Sequence, residues 1–154
     1  MSRAQCLIYR GDRVLMVKHR QGEQEWWCLP GGAVEPGEVP IIAALRELEE
    51  ECCLAGKAVR QMSHLCYAPD DETYTFLVDV GEQEPALGYD PEVPLGGEVL
   101  ADVRWLSLDE IPERDRAFLW AAGLLGVGEF LAQVEAWGNE ISVPERKETG
   151  ARST

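Results

Sequence analysis

Apolar and polar positions fall into short blocks separated by turn residues. Gln5 to Tyr9 reads as a strand, and Arg10-Gly11-Asp12 as a turn. Arg13 to His19 follows as a second strand with partial alternation. Trp26 to Leu29 is a short apolar run stopped by Pro30-Gly31-Gly32, and a loop bearing Gly and Pro continues to Gly37. Ile41 to Cys52 contains no Gly or Pro and predicts a helix, with Pro40 tolerated in its first turn. Val59 to Tyr67 and Thr73 to Val80 predict two strands around a Pro69-Asp70-Asp71 turn. A polar segment with three prolines runs from Gly81 to Gly97. It is longer than a compact domain usually carries without a reason. Val103 to Leu106 predicts another strand, and Ser107 is placed to cap a short Leu108-Asp109-Glu110 turn. Asp115 to about Trp137 reads as one helix, apolar on one side. The order of strands, helix, strands and helix implies an α/β protein with a mixed sheet sandwiched by helices.

The helix carries the first chemical signal. Glu47, Glu50 and Glu51 stand at i, i+3 and i+4, within one wedge of about 100°. Ile41, Leu45, Leu48 and Cys52 form the opposite stripe, expected to face the core. Like charges at these spacings repel and weaken a helix. A positive charge seated on them relieves that repulsion, and oxygen donors at this density suit Mg²⁺ or Mn²⁺ rather than zinc. The competing reading is a solvated acidic face.

Charge and composition narrow the classes. The 154 residues fit one domain, taken as residues 1–141, with an expected disordered tail over 142–154 where hydrophobic residues nearly vanish. The formal net charge is −14. So acidic a surface repels phosphate backbones, which argues against duplex nucleic acid. It still admits anionic small molecules bridged by a cation. No apolar run spans a bilayer and the first ten residues lack a signal-peptide core, so no membrane association and a cytoplasmic location are expected. The five cysteines are odd in number and form no C-x-x-C pair, consistent with reduced thiols. A catalytic Cys–His pair using His19 or His64 has no local support, and the cysteine spacing disfavours a zinc or thiol enzyme.

The wider context decides between the readings of the acidic wedge. Gly32, Glu38, Arg46, Glu47, Leu48, Glu50, Glu51 and Leu54 fit the pattern G-x5-E-x7-R-E-U-x-E-E-x-G-U, where U is aliphatic. The chain here resembles the Nudix hydrolases (MutT-like), with flanking likeness in Trp27 to Gly32 and in Val103-Arg104-Trp105-Leu106. The resemblance implies a Nudix fold, an α/β/α sandwich around a mixed sheet. It also implies that Glu47, Glu50, Glu51 and the Gly31 carbonyl hold Mg²⁺ or Mn²⁺. Arg46 would orient Glu47, and Gly32 and Glu38 would support the loop. One position departs: Cys53 stands where the family has a helix-ending glycine, so either Cys53 adopts the left-handed turn or the helix runs on to Gly56.

The activity implied is metal-dependent hydrolysis of a nucleoside diphosphate linked to another moiety, of the ADP-ribose or dinucleoside polyphosphate type. Its rivals are a pyrophosphatase that removes oxidised nucleoside triphosphates, and a non-catalytic nucleotide-binding module. Catalytic residues are then Glu47, Arg46 and Glu50, and the general base is either a glutamate of this pattern or a later loop glutamate, for which Glu98 after Gly96-Gly97 is the first candidate. Glu82, Glu84 and Glu92 are weaker candidates on the same segment. Trp27, or its neighbour Trp26, is the candidate for stacking on substrate, with Tyr67, Tyr74 and Tyr89 behind them. His64 reads as a strand side chain without a catalytic role, and Phe118-Leu119-Trp120 as helix–sheet core. The expected partner is a small-molecule nucleotide, and a homodimer is left open.

Overall fold

The computed structural model describes residues 1–88 and 97–137. Tyr89, Glu92, Gly96 and the 142–154 tail lie outside the described residues. Strands β1 (Ser2–Leu7), β5 (Gly31–Ala33), β6 (Lys57–Ala68) and β7 (Asp71–Asp79) build a first sheet in the order β5-β1-β7-β6. The β1–β7 pair is parallel, while β1–β5 and β6–β7 are antiparallel, so this sheet is mixed. Strands β2 (Tyr9–Arg10), β3 (Arg13–Gln21), β4 (Gln24–Cys28) and β8 (Val99–Ser107) form a second, antiparallel sheet centred on β3. Helix α1 (Pro40–Cys52) packs on one side, and α2 (Glu113–Ala122) and α3 (Gly128–Glu135) pack on the other.

Alternation along the strands sorts the core into two parts. Ala4, Cys6, Ile8, Leu15 and Val17 join the α1 side with Ala43, Ala44, Leu48 and Cys52. Leu7, Val14 and Met16 join the α2–α3 side with Leu119, Leu124 and Phe130. Most expected strands are present but run longer. Gly31–Ala33 is a strand absent from the sequence reading, because three small residues carry no periodicity.

The expected single helix from Asp115 to Trp137 is instead α2, a 3₁₀ turn at Leu124–Gly126, and α3. Gly123, at φ +100°, ends α2, and a Cβ there would lie 3.1 Å from the Met62 carbonyl. The close approach of β6 to the chain at this point selects glycine and breaks the helix. Phe118 is a second correction: it is exposed rather than core, while Leu119 is buried.

The exit of α1 is settled at Cys53, which adopts φ +58°, ψ +36° and donates its N–H to the Glu49 carbonyl at 3.0 Å. The helix does not run on to Gly56. That glycine answers a different need, since a Cβ there would sit 2.6 Å from Val78 Cγ1 and 2.8 Å from Leu48 Cδ2. Other carbonyls of the last turn are satisfied from the segment after β7: Ala86 N–H donates to Cys52 O at 3.0 Å and Gly88 N–H to Glu51 O at 2.8 Å. The start of the long polar segment is therefore fastened to the end of α1.

A left-handed side-chain residue costs about 1–2 kcal/mol. Cys53→Gly is therefore expected to raise unfolding stability by about 1 kcal/mol in urea titration. Gly56→Ala is expected to lower it by about 1–3 kcal/mol through overpacking.

Candidate active site

The site begins with the burial of two carboxylates. Glu47 and Glu51 are only 2% and 1% exposed, although both are acidic residues on a short helix. The solvated-face reading of the wedge fails on this point. A carboxylate buried in this way must be compensated by hydrogen bonds or cations. Glu51 Oε1 accepts the Gly31 N–H at 2.8 Å. Glu47 lies against Gly32 so closely that a Cβ on that glycine would stand 2.5 Å from the carboxyl carbon. Gly31 is equally confined, since a Cβ there would collide with the Ala4 carbonyl and Gln5. The two glycines let strand β5 lie directly on the acidic face of α1.

Arg46 ties the loop to that face. Its Nε and Nη2 grip the Glu38 carboxylate at 2.8 and 3.0 Å, and Nη2 also donates to the Ala33 carbonyl at 3.0 Å. Nη1 reaches Glu47 Oε1 at 3.1 Å and Glu50 Oε1 at 3.4 Å. Glu38 in turn accepts the Glu35 N–H at 3.0 Å. The Arg46 hydrogen bonds, aided by that backbone bond, hold the Glu38 carboxyl below the usual range. The same contacts keep Arg46 firmly charged. Glu50 is the most open of the three wedge carboxylates, with 27% of its side chain exposed. Buried carboxylates of one sign, collected beside a single guanidinium and a backbone-lined loop, fit a hard divalent cation by donor type.

His19 was missed by the sequence reading. It is 7% exposed, and its Nδ1 lies 2.8 Å from Glu98 Oε1 while Nε2 lies 3.8 Å from Glu51 Oε2. The only advance signal was a lone histidine on a strand. Its position is set by an irregularity where the β3–β8 register shifts between Lys18 and His19, the kind of bulge that re-aims a side chain. Glu98, on the other side, has 44% of its side chain exposed. Glu84 is instead occupied by Arg10 at 2.7 Å, and Glu82 is exposed.

A cavity of about 770 Å³ opens beside this pair. His19, Glu98, Trp26, Trp27, Tyr67 and Phe118 are among its lining residues. Trp26 stacks on His19, with ring centroids 5.9 Å apart. The Trp27 backbone N–H donates to buried Asp115 Oδ2 at 3.0 Å, and Lys18 sits 5.1 Å from the centroid of its ring. Tyr74 stacks on His64 instead and does not line the cavity. Cys6, Cys28 and Cys52 have thiols pushed well up by burial and then by the Glu51 charge, which disfavours the thiolate form.

This loop–helix arrangement and fold define a class. A model of the NUDIX domain matches residues 1–125, and the chain belongs to that family. It is 38% identical over 85 residues to the diphosphoinositol polyphosphate phosphohydrolase 3-alpha of Mus musculus, covering 52% of this chain and 51% of that protein. The chain thus spans about half the length of the curated relatives it matches. Among solved structures, it resembles a MutT NUDIX hydrolase from Burkholderia pseudomallei with TM-score 0.60 and 23% identity, covering 77% of this chain and 95% of that one. It also resembles an Ap4A hydrolase of C. elegans in a binary complex, with TM-score 0.60 and 19% identity over 88% and 98% of the two chains. No helix among the described residues is long and apolar enough to cross a membrane.

The Glu38–Arg46 pair generates a pH prediction. A carboxyl whose folded pKa is lowered contributes stability above its unfolded value, 4.5 for Glu38, and that contribution fades as pH falls through the folded value. Glu38→Gln is expected to cost about 1–2 kcal/mol at neutral pH. The gap to wild type should then close progressively below pH 4.5. Urea titrations across that range check it.

Proposed function

We propose that the protein is a Mg²⁺-dependent pyrophosphohydrolase acting on a nucleoside diphosphate linked to another moiety, of the ADP-ribose or dinucleoside polyphosphate type. The observation that carries this reading is the junction of two features. Buried Glu51, on the same helix as buried Glu47, lies 3.8 Å from His19, and His19 and Glu98 both line an aromatic cavity. Glu47, Glu50 and Glu51, with the Gly31 carbonyl, would hold the cation. When bound, a divalent cation supplies neutralisation of diphosphate charge and acidification of a water.

The chain's own residues do the rest. Arg46 holds Glu47 in place and pins the glycine loop. Glu98 accepts the proton of the attacking water, and the Nδ1–H of His19 orients its carboxylate. Trp26 and Trp27 offer flat faces for a base or ribose.

The diphosphoinositol relatives suggest a second substrate class, and the charge of the cavity disfavours it. The lining contributes Glu25, Asp71, Glu98 and Asp115 against Arg3 and Arg114, with His19 between them. An inositol carrying many phosphates needs a strongly basic wall. A nucleoside with one diphosphate needs an aromatic wall and one cation site. A nucleoside triphosphate, including an oxidised one, uses the same parts and remains the runner-up. Retention of all three wedge carboxylates favours catalysis over a purely binding module.

Release of nucleotide or phosphate from a panel of ADP-ribose, dinucleoside polyphosphates, nucleoside triphosphates and diphosphoinositol phosphates, with Mg²⁺ or Mn²⁺, tests the reading. Turnover of the first two groups is expected to exceed the rest. Activity that survives excess chelator, or that is confined to diphosphoinositol phosphates, overturns it. Glu50→Gln is expected to fold normally and to lose activity by orders of magnitude, because its partly exposed carboxylate serves no core contact. Glu98→Gln is expected to lower kcat by about 10²–10⁴-fold with metal affinity nearly unchanged. Activity of that variant within about threefold of wild type would move the base elsewhere.

A further inference from the structure

The hairpin of β6 and β7 carries a second group of donors away from the cavity. Leu65, Tyr67, Asp71, Thr73 and Thr75 line the cavity, so their strand neighbours His64, Cys66, Glu72 and Tyr74 point to the opposite face of the sheet. There Cys66 pairs across the strands with Glu72, and His64 with Tyr74. The three donor atoms converge. His64 Nε2 lies 3.0 Å from Glu72 Oε1, Cys66 Sγ lies 3.6 Å from the same oxygen, and Cys66 Sγ lies 3.8 Å from His64 Nε2.

These separations can be compared with a zinc polyhedron. With Zn–N near 2.05 Å, Zn–S near 2.3 Å and Zn–O near 2.1 Å, tetrahedral edges are about 3.4 Å for N–O and about 3.6 Å for S–O and S–N. Two observed edges fall within about 0.2 Å of these values, and the N–O edge must widen by about 0.4 Å, a small rotation for side chains near the surface. The surroundings hold the donors in this pose. Tyr74 stacks on the His64 ring at 4.2 Å between centroids and 8° between planes. The Ser2 hydroxyl donates to Glu72 Oε2 at 3.4 Å, which leaves Oε1 turned to the other two donors. Such outer contacts orient metal ligands.

We propose that His64, Cys66 and Glu72 form a zinc-binding site with three protein ligands and an open fourth position. The site is separate from the acidic face of α1 and joins β6 to β7. The donor set separates the two sites by chemistry: a thiolate and an imidazole select zinc, whereas the all-oxygen wedge of α1 selects Mg²⁺ or Mn²⁺. On binding, the Cys66 S–H bond breaks and its proton goes to solvent as the Zn–S bond forms. Glu72 binds as carboxylate through Oε1, the oxygen that already faces His64 and Cys66. The proton that Nε2 of His64 donates to Glu72 in the free chain passes through solvent to Nδ1, so that the neutral imidazole gives Nε2 to the metal. Occupied only in the folded state, the site should also stabilise the chain by mass action.

The test uses the full chain, reduced, in excess Mg²⁺ to fill oxygen sites. Competition against a chromophoric chelator should show uptake of one Zn²⁺ per chain, and zinc should raise Tm. Co²⁺ should give the near-ultraviolet thiolate charge-transfer band, which carboxylate sites do not produce. Cys66→Ser should abolish the band and weaken Zn²⁺ binding at least about tenfold, and Glu72→Gln and His64→Gln should weaken it similarly. Cys53→Ser should retain both. Wild-type protein without zinc uptake or the cobalt band overturns the proposal, as does a band that persists in Cys66→Ser or vanishes in Cys53→Ser. The wild-type measurement decides the matter even if a variant folds poorly.

Discussion

Arg46 is the residue on which the proposed active site depends. Its guanidinium spans the Glu38 carboxylate, the Ala33 carbonyl, Glu47 and Glu50. Those groups come from three parts of the loop–helix unit: Ala33 from β5, Glu38 from the loop, and Glu47 and Glu50 from α1. Bidentate pairing with Glu38 fixes the plane of the guanidinium, so the remaining N–H groups are aimed rather than merely nearby. A lysine would offer a point charge and lose that geometry. With Arg46 in place, α1 can present carboxylates inward that would otherwise repel the loop and one another.

The glycines of the loop complete the constraint from the other side. Gly32 brings backbone into contact with the Glu47 carboxylate, and Gly31 donates its N–H to Glu51. Burial of two carboxylates is expensive unless such partners exist. Gly31 also answers a packing need, since a Cβ there would collide with β1 at Ala4 and Gln5. Two sheets then meet at the cavity. Glu98 approaches from the residue just before β8 and His19 from β3, and the pair lines the cavity with the tryptophans while His19 also reaches Glu51. The hairpin β6–β7 serves both of its faces, one toward the cavity and one toward the His64 group.

Much of this was legible in the chain. The acidic wedge, the glycine loop, Arg46 and Glu38 lie within twenty-odd residues, and fixed helical spacing converts that stretch directly into geometry. Most of β3 and β7 was legible, as Arg13 to His19 and Thr73 to Val80, because their apolar runs are bounded by turn residues; the extra residues at their ends are polar and carry no apolar signal. The break at Gly123 was not. Glycine within an apolar helical pattern reads as tolerated until the Met62 carbonyl is found against it. Phe118 was assigned to core because sequence shows the pattern of a helix but not which flank stays uncovered.

What the sequence determined by itself is local: the cation-suited carboxylates, their arginine, and the helix that carries them. Tertiary structure decided everything that joins residues far apart in the chain. It placed the helix exit at Cys53, and gave Gly56 to the close approach of Val78 and Leu48. It set His19 beside Glu98 and Glu51, a meeting of β3, the residue before β8 and α1 that no spacing encodes. It also turned His64, Cys66 and Glu72 toward one another through the register of an antiparallel pair. Periodicity states which face a side chain takes, whereas strand register and close packing determine what it meets there.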